Sequence, residues 1–167
     1  MAGNHITILD GSMGQEIVRR VGDAARGAVI GSREAGKPIC LSMTVDDDDG
    51  ALLRSGAPVK SAVALAEELG VEALLLNCSR PEAVTKAIPL LKTAKVPVGA
   101  YANGFERITA KYKTDDAQVS DLSHRVDLAP AAYAEFAEQW AADGATIIGG
   151  CCEVGPAHIA ELANRLK

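Results

Sequence analysis

Residues 59–77, VKSAVALAEELGVEALLLN, decide the fold. From Val59 to Leu69, apolar side chains recur at three- and four-residue intervals, the spacing of an amphipathic helix. Gly70 ends that helix, because glycine adopts a left-handed backbone without a Cβ clash. Glu72 to Asn77 is then a near-continuous apolar run, as in a strand covered on both faces. A helix running into a buried strand is one step of a parallel β/α chain.

The same alternation extends in both directions. Upstream, His5 to Asp10 reads as a strand closed by Asp10-Gly11, and Gln15 to Arg20 as a short helix. Residues 21–27, VGDAARG, read as a loop or helix break. Ala28 to Gly36 reads as a helix stopped by Gly-Lys-Pro, and Pro38 to Val45 as a second strand. The acidic stretch DDDDGALLRSGAP (46–58) follows as a loop. Downstream, Pro81 to Lys92 is a helix, Val96 to Asn103 a strand, and Gly104 to Leu128 a long polar loop. Pro130 to Asp143 is a helix, Ala145 to Gly150 a fifth strand, and Pro156 to Leu166 a closing helix. Strand–helix alternation of this kind gives a parallel sheet with helical crossovers, either a barrel or an open sheet. A closed eight-stranded barrel takes roughly 250 residues, more than the 167 of this chain.

Bulk composition narrows the class. With 48% hydrophobic and 23% charged residues, the chain is expected to form one globular domain with a real core. A net charge of −5 argues against nucleic-acid binding, which needs a basic face. No apolar run reaches membrane-spanning length, so no membrane partner is expected. MAGNHITILDG lacks the basic and long apolar segments of a signal peptide, and four cysteines at uneven spacing do not make a secreted disulfide framework. A cytoplasmic protein with reduced thiols is the expectation.

In parallel α/β folds, chemistry gathers at the carboxyl ends of the strands. Those ends carry Asp10-Gly11-Ser12-Met13-Gly14, Asn77-Cys78-Ser79, Asn103-Gly104 and Cys151-Cys152. Cys40 lies inside a strand and is expected in the core. A bridge between neighbours Cys151 and Cys152 is strained. Ser79, Pro81 and Glu82 form a capping-box pattern after Cys78, and Pro156 opens a helix after Cys152. Both helix N-termini should lower thiol pKa values. Three thiolates suit Zn²⁺ and leave a fourth tetrahedral position open. For Cys151 and Cys152 to share an ion, the backbone must turn between them. Spacing alone leaves ligation and plain packing both open, since there is no C-x-x-C pair.

Other features carry less. The Gly-rich DGSMG turn could cradle an anion but lacks the Gly-Lys-Ser/Thr of a P-loop. The DDDDG run fails as a calcium loop, because position twelve falls on Gly56 where glutamate is needed. It reads as a solvated acidic loop. His5 and His124 are scattered, and His158, near the start of the last helix, reads as a helix-capping or surface residue.

Four segments, in this order, resemble the zinc-dependent homocysteine S-methyltransferase family: ILDGSMG (8–14), LLLNCSRPE (74–82), VGAYANG (98–104) and IIGGCCEVGPAHI (147–159). The resemblance implies a TIM-type (β/α)8 barrel. It implies zinc on Cys78, Cys151 and Cys152, with homocysteine's thiolate in the open position. It places Asp10 and Gly11 beside the amino-acid part of the substrate, and Asn103 near the zinc. The implied reaction moves a methyl group from a sulfonium donor, S-methylmethionine or S-adenosylmethionine, to homocysteine, giving methionine.

Two departures qualify it. RRVGDAARGAVIGSREAGKP (19–38) runs from the first helix into what resembles the helix before the fifth barrel strand. About three β/α units are missing near residues 21–27, and with them the acidic residue expected to hold the substrate's amino group. The fold expected is an incomplete barrel, one domain over residues 1–167, of about five parallel strands with helices outside. Its open sheet edges invite pairing with a second copy. The alternative is a catalytically inactive zinc-binding remnant. The second departure is Glu153-Val154, where many relatives have Gly-Thr.

Overall fold

In the computed structural model, residues 6–9, 24–107 and 122–167 are described. The strands are β1 (Thr7–Leu9), β2 (Cys40–Met43), β3 (Ala73–Asn77), β4 (Val98–Ala102) and β5 (Ile147–Gly150). The helices are α1 (Ala24–Arg33), α2 (Lys60–Leu69), α3 (Pro81–Ala87), α4 (Pro130–Ala142) and α5 (Pro156–Arg165). A 3₁₀ turn, Ile88–Leu91, continues α3. No described helix is long and apolar enough to cross a membrane.

All strands are parallel, in the order β1-β5-β4-β3-β2. From β2 to β5, each connection moves one strand over in the same direction. Right-handed crossovers therefore put their helices on one face. On that face Leu41, Leu74, Leu76, Val98, Ala100 and Ile148 are buried in one core with residues of α2, α3 and α4. Alternate residues point the other way, where Ala73, Leu75 and Tyr101 are buried with Ile147 and Cys151 beside them. Both sheet faces are thus apolar.

The pairing of β1 with β5 locates the gap. Thr7, Ile8 and Leu9 lie opposite Ile147, Ile148 and Gly149. In a closed barrel the first strand also neighbours the last, so this seam is intact. Among the described residues, β1 and β2 form the two ends of the sheet, and the opening lies between them. The molecule is an arc of an incomplete TIM-type barrel with helices outside.

Most boundaries follow local chemistry. Gly70 takes φ 55°, and its N–H donates to the Ala66 and Glu67 carbonyls, ending α2 as expected. Pro89 has no N–H to give, and the helix expected through Lys92 tightens to 3₁₀ at Ile88. Residues 24–27, expected within a break, are instead the first turn of α1, and Arg26 there pairs with Glu68 of α2. The helix expected over 15–20 lies outside the described residues.

Cys40 is a correction. It is exposed, not core, because β2 is an edge strand. Burial of its sulfur in part, with the Glu72 carboxylate nearby, still pushes its thiol up. The acidic loop is partly built into the fold. Asp46 Oδ1 accepts the N–H groups of Asp48 and Asp49, and Leu53 is buried opposite Val45. Asp48 and Asp49 are exposed. Beyond β4, Phe105 is bridged to His124, outside the sheet.

Candidate metal centre

Where β3 ends, Cys78 takes a left-handed φ of 47°. Its N–H donates to the Tyr101 carbonyl at 3.3 Å, and its carbonyl accepts from Arg54 Nη2 at 3.1 Å. Neighbouring polar groups lock the turn. The Thr44 hydroxyl donates to Asn77 Oδ1 at 3.0 Å. The buried Ser79 hydroxyl accepts the Val45 N–H at 3.0 Å and shares its proton between the Val45 and Asn77 carbonyls. Ser79 is therefore not the helix cap that the sequence pattern predicts. Arg80 occupies that position, with no side-chain cap bond. Glu82 instead accepts from Arg125 at 2.6 Å, and Arg125 also grips Asp127 at 2.7 Å, tying the returning loop to α3.

The second cysteine segment leaves β5. Cys151 N–H donates to the Ala102 carbonyl at 2.9 Å, and Val154 N–H closes a turn onto the Cys151 carbonyl at 3.1 Å. Glu153 takes φ 64°. This turn brings successive side chains to one side, as a shared ion requires. Close approach also demands glycine at 150, where a Cβ would collide with Val154, and at 104, where a Cβ would lie 2.8 Å from the Glu153 Cβ. Gly104 N–H donates to the Cys152 carbonyl at 2.8 Å.

The sulfurs of Cys78, Cys151 and Cys152 lie within 4.8 Å of one another. Those of Cys151 and Cys152 are 3.8 Å apart, and those of Cys78 and Cys151 are joined as a disulfide, with Cα atoms 5.8 Å apart; ligation of a shared ion requires that pair in its reduced, thiolate form. Ligands on a tetrahedral ion with Zn–S bonds of about 2.3 Å stand about 3.8 Å apart. Three soft donors converging in a mostly buried site fit zinc. The electrostatics differ from the sequence expectation at Cys152. Burial, reinforced by the Glu153 carboxylate, pushes its thiol up. The helix dipole acts only within its first turn, and α5 begins at Pro156. As a ligand, this thiolate would need the charge of a bound cation to stabilise it.

Asn103 is buried between the two cysteine segments. Its N–H donates to the Ser79 carbonyl at 3.0 Å, and its Oδ1 accepts the Phe105 N–H at 3.2 Å. Asp10 and Gly11 lie outside the described residues. His158 caps α5: Nδ1 accepts the Gly155 N–H at 3.3 Å, and Nε2 lies 2.9 Å from the Leu128 carbonyl. Sequence reasoning missed Thr44, Arg54 and Arg125. Their roles are long-range hydrogen bonds, which leave no local pattern.

A family profile described as homocysteine S-methyltransferase matches residues 22–166. The chain is 31% identical over 167 residues to methionine synthase of Mycobacterium leprae, covering 93% of this chain and 13% of that protein. It is 37% identical over 127 residues to homocysteine S-methyltransferase of Escherichia coli, covering 75% of this chain and 38% of that one. The crystal structure of the homocysteine methyltransferase MmuM from Escherichia coli, metallated form, superposes with a TM-score of 0.59 at 27% identity. That match covers 85% of this chain and 41% of MmuM. The chain therefore spans well under half the length of these relatives. With three cysteines converging at the ends of β3 and β5 in an arc of the same barrel, the chain belongs to the homocysteine S-methyltransferase family.

Proposed function

We propose that Cys78, Cys151 and Cys152 hold a zinc ion at which homocysteine is methylated to methionine by a sulfonium donor, S-methylmethionine or S-adenosylmethionine. The convergence of the three sulfurs carries this reading. Zinc bound by three thiolates leaves one position for a substrate thiol and lowers its pKa. The substrate sulfur forms the new bond to the methyl carbon, and the donor sulfur departs with the electron pair. Within the chain, Arg54 and the Ser79 network hold the Cys78 turn, and Gly104 holds the Cys152 carbonyl. Asn103, between the cysteine segments, is assigned a place near the zinc. Asp10 and Gly11 are assigned the amino-acid end of homocysteine. A site of three reduced thiols would suit a cytoplasmic setting.

We assign residues 1–167 to one domain with an internal deletion near residues 21–27. The start of the family match at residue 22 and the opening between β1 and β2 support this. The open edges favour completion of the wall by a second copy. They equally motivate the second reading, a zinc-binding remnant without activity. Mass spectrometry of methionine formed from homocysteine and each donor, with Cys151→Ser as control, separates the two. Product above the control supports methyl transfer. Zinc-loaded chain that forms none, at concentrations where sedimentation shows oligomers, leaves the remnant.

A further inference from the structure

One buried hydroxyl has no role in the account so far. Tyr133, on α4, is fully buried. Its phenol donates to the Gly149 carbonyl at 2.7 Å and accepts the Ala102 N–H at 3.1 Å. These groups belong to neighbouring strands, with Ala102 opposite Gly150 in the β4–β5 register. The Ala102 carbonyl in turn accepts the Cys151 N–H at 2.9 Å. One residue of β4 is thus held by Tyr133 through its amide and holds Cys151 through its carbonyl. Its successor is Asn103. The ring also stands edge-on to Trp140 and to His158, with centroids 5.7 Å and 5.9 Å away. His158 caps the helix that follows the cysteine turn. Tyr133 therefore supports the Cys151–Cys152 turn from both ends. Packing alone asks only for the ring, since a buried hydroxyl is costly unless it is bonded.

We propose that Tyr133 is a positioning residue for the cysteine pair. Its hydroxyl fixes the spacing of β4 and β5 where Cys151 leaves the sheet, so that Cys151 and Cys152 meet Cys78 on one cation. The inference rests on the zinc reading above.

The test compares the full chain with Tyr133→Phe, which keeps the ring, and with Trp140→Phe. Trp140 sits on the same helix, and its indole N–H donates to the Thr85 hydroxyl at 2.8 Å, away from the β4–β5 seam. Zinc affinity is measured by chelator competition, and site geometry by the visible spectrum of the cobalt(II)-loaded protein. Tyr133→Phe is expected to bind zinc about fivefold more weakly, the scale of one hydrogen bond, with a shifted cobalt spectrum. Trp140→Phe, which keeps the Tyr133 hydroxyl bonds and alters only the ring contact, is expected to lose less than Tyr133→Phe. Unchanged affinity and spectrum in Tyr133→Phe, or equal losses in both variants, overturn the proposal. A wild-type chain that binds no metal overturns the zinc reading and this inference together. A second measurement needs no variant. Because coupling is reciprocal, zinc should slow amide exchange at Ala102 more than at Ala100 in the wild-type chain. Equal slowing would contradict the assigned role.

Discussion

Two side chains at the candidate metal centre sit on backbone that glycine ordinarily occupies. Cys78 and Glu153 have φ of 47° and 64°, a conformation that costs a side-chain-bearing residue about 1–2 kcal/mol. At Cys78 this turn aims the sulfur at its two partners, so the cost serves the site. Glu153 is exposed and accepts the same conformation beside Cys152. Glu153→Gly should raise stability by about 1 kcal/mol, or about 3 °C in melting temperature. An unchanged or lower melting temperature would show that the Glu153 side chain offsets its backbone. pH enters through Cys152, whose thiol is pushed up by burial and by Glu153. In the metal-free chain, the folded state holds this proton more tightly than the unfolded state. That contribution is full below the unfolded thiol pKa and fades as pH rises through the folded value. Metal binding has the opposite sign, because each ligand must lose its proton. Zinc affinity should therefore climb with pH through neutrality, approaching three protons released per ion. Calorimetry in buffers of different ionisation enthalpy would count them, and no proton release would remove the thiols as ligands. The three cysteines were legible as candidate ligands because each follows a strand end within segments that resemble a zinc-dependent family. The strain at Glu153 was legible only as a departure from a Gly-Thr pattern.

Elements were legible wherever one residue sets the outcome. Gly70 ends α2 in the left-handed conformation, and Pro81, Pro130 and Pro156 open helices. Local reading failed where the partner is distant in sequence. Ser79 matched a capping pattern, yet its hydroxyl binds Val45, 34 residues away. Cys40 matched a core strand, yet its exposure depends on which strand lies at the edge. The β4–β5 contact leaves no room for a side chain at Gly99, because a Cβ there would collide with the Ile147 carbonyl and side chain. Gly99→Val should cost about 2 kcal/mol or more in urea unfolding and weaken metal retention through the same seam. A variant as stable as the parent would mean that β4 and β5 shift apart freely and do not hold the cysteine turn.

At the scale of the whole molecule, strand count and chain length foretold an incomplete barrel, but not which edges would be open. The order β1-β5-β4-β3-β2 resolves this: the first strand keeps its place beside the last, and the gap opens between β1 and β2. The cysteines follow β3 and β5, which flank β4, and one strand stands between each of these and the open edge. The strands that carry the candidate site are therefore all paired on both sides. Zinc per chain, measured by elemental analysis on purified, reduced protein beside Cys78→Ser, tests the zinc reading of this site most directly. About one zinc per chain, lost in the variant, is the expected result. Well-folded protein without zinc would contradict it, reducing the three converging sulfurs to packing.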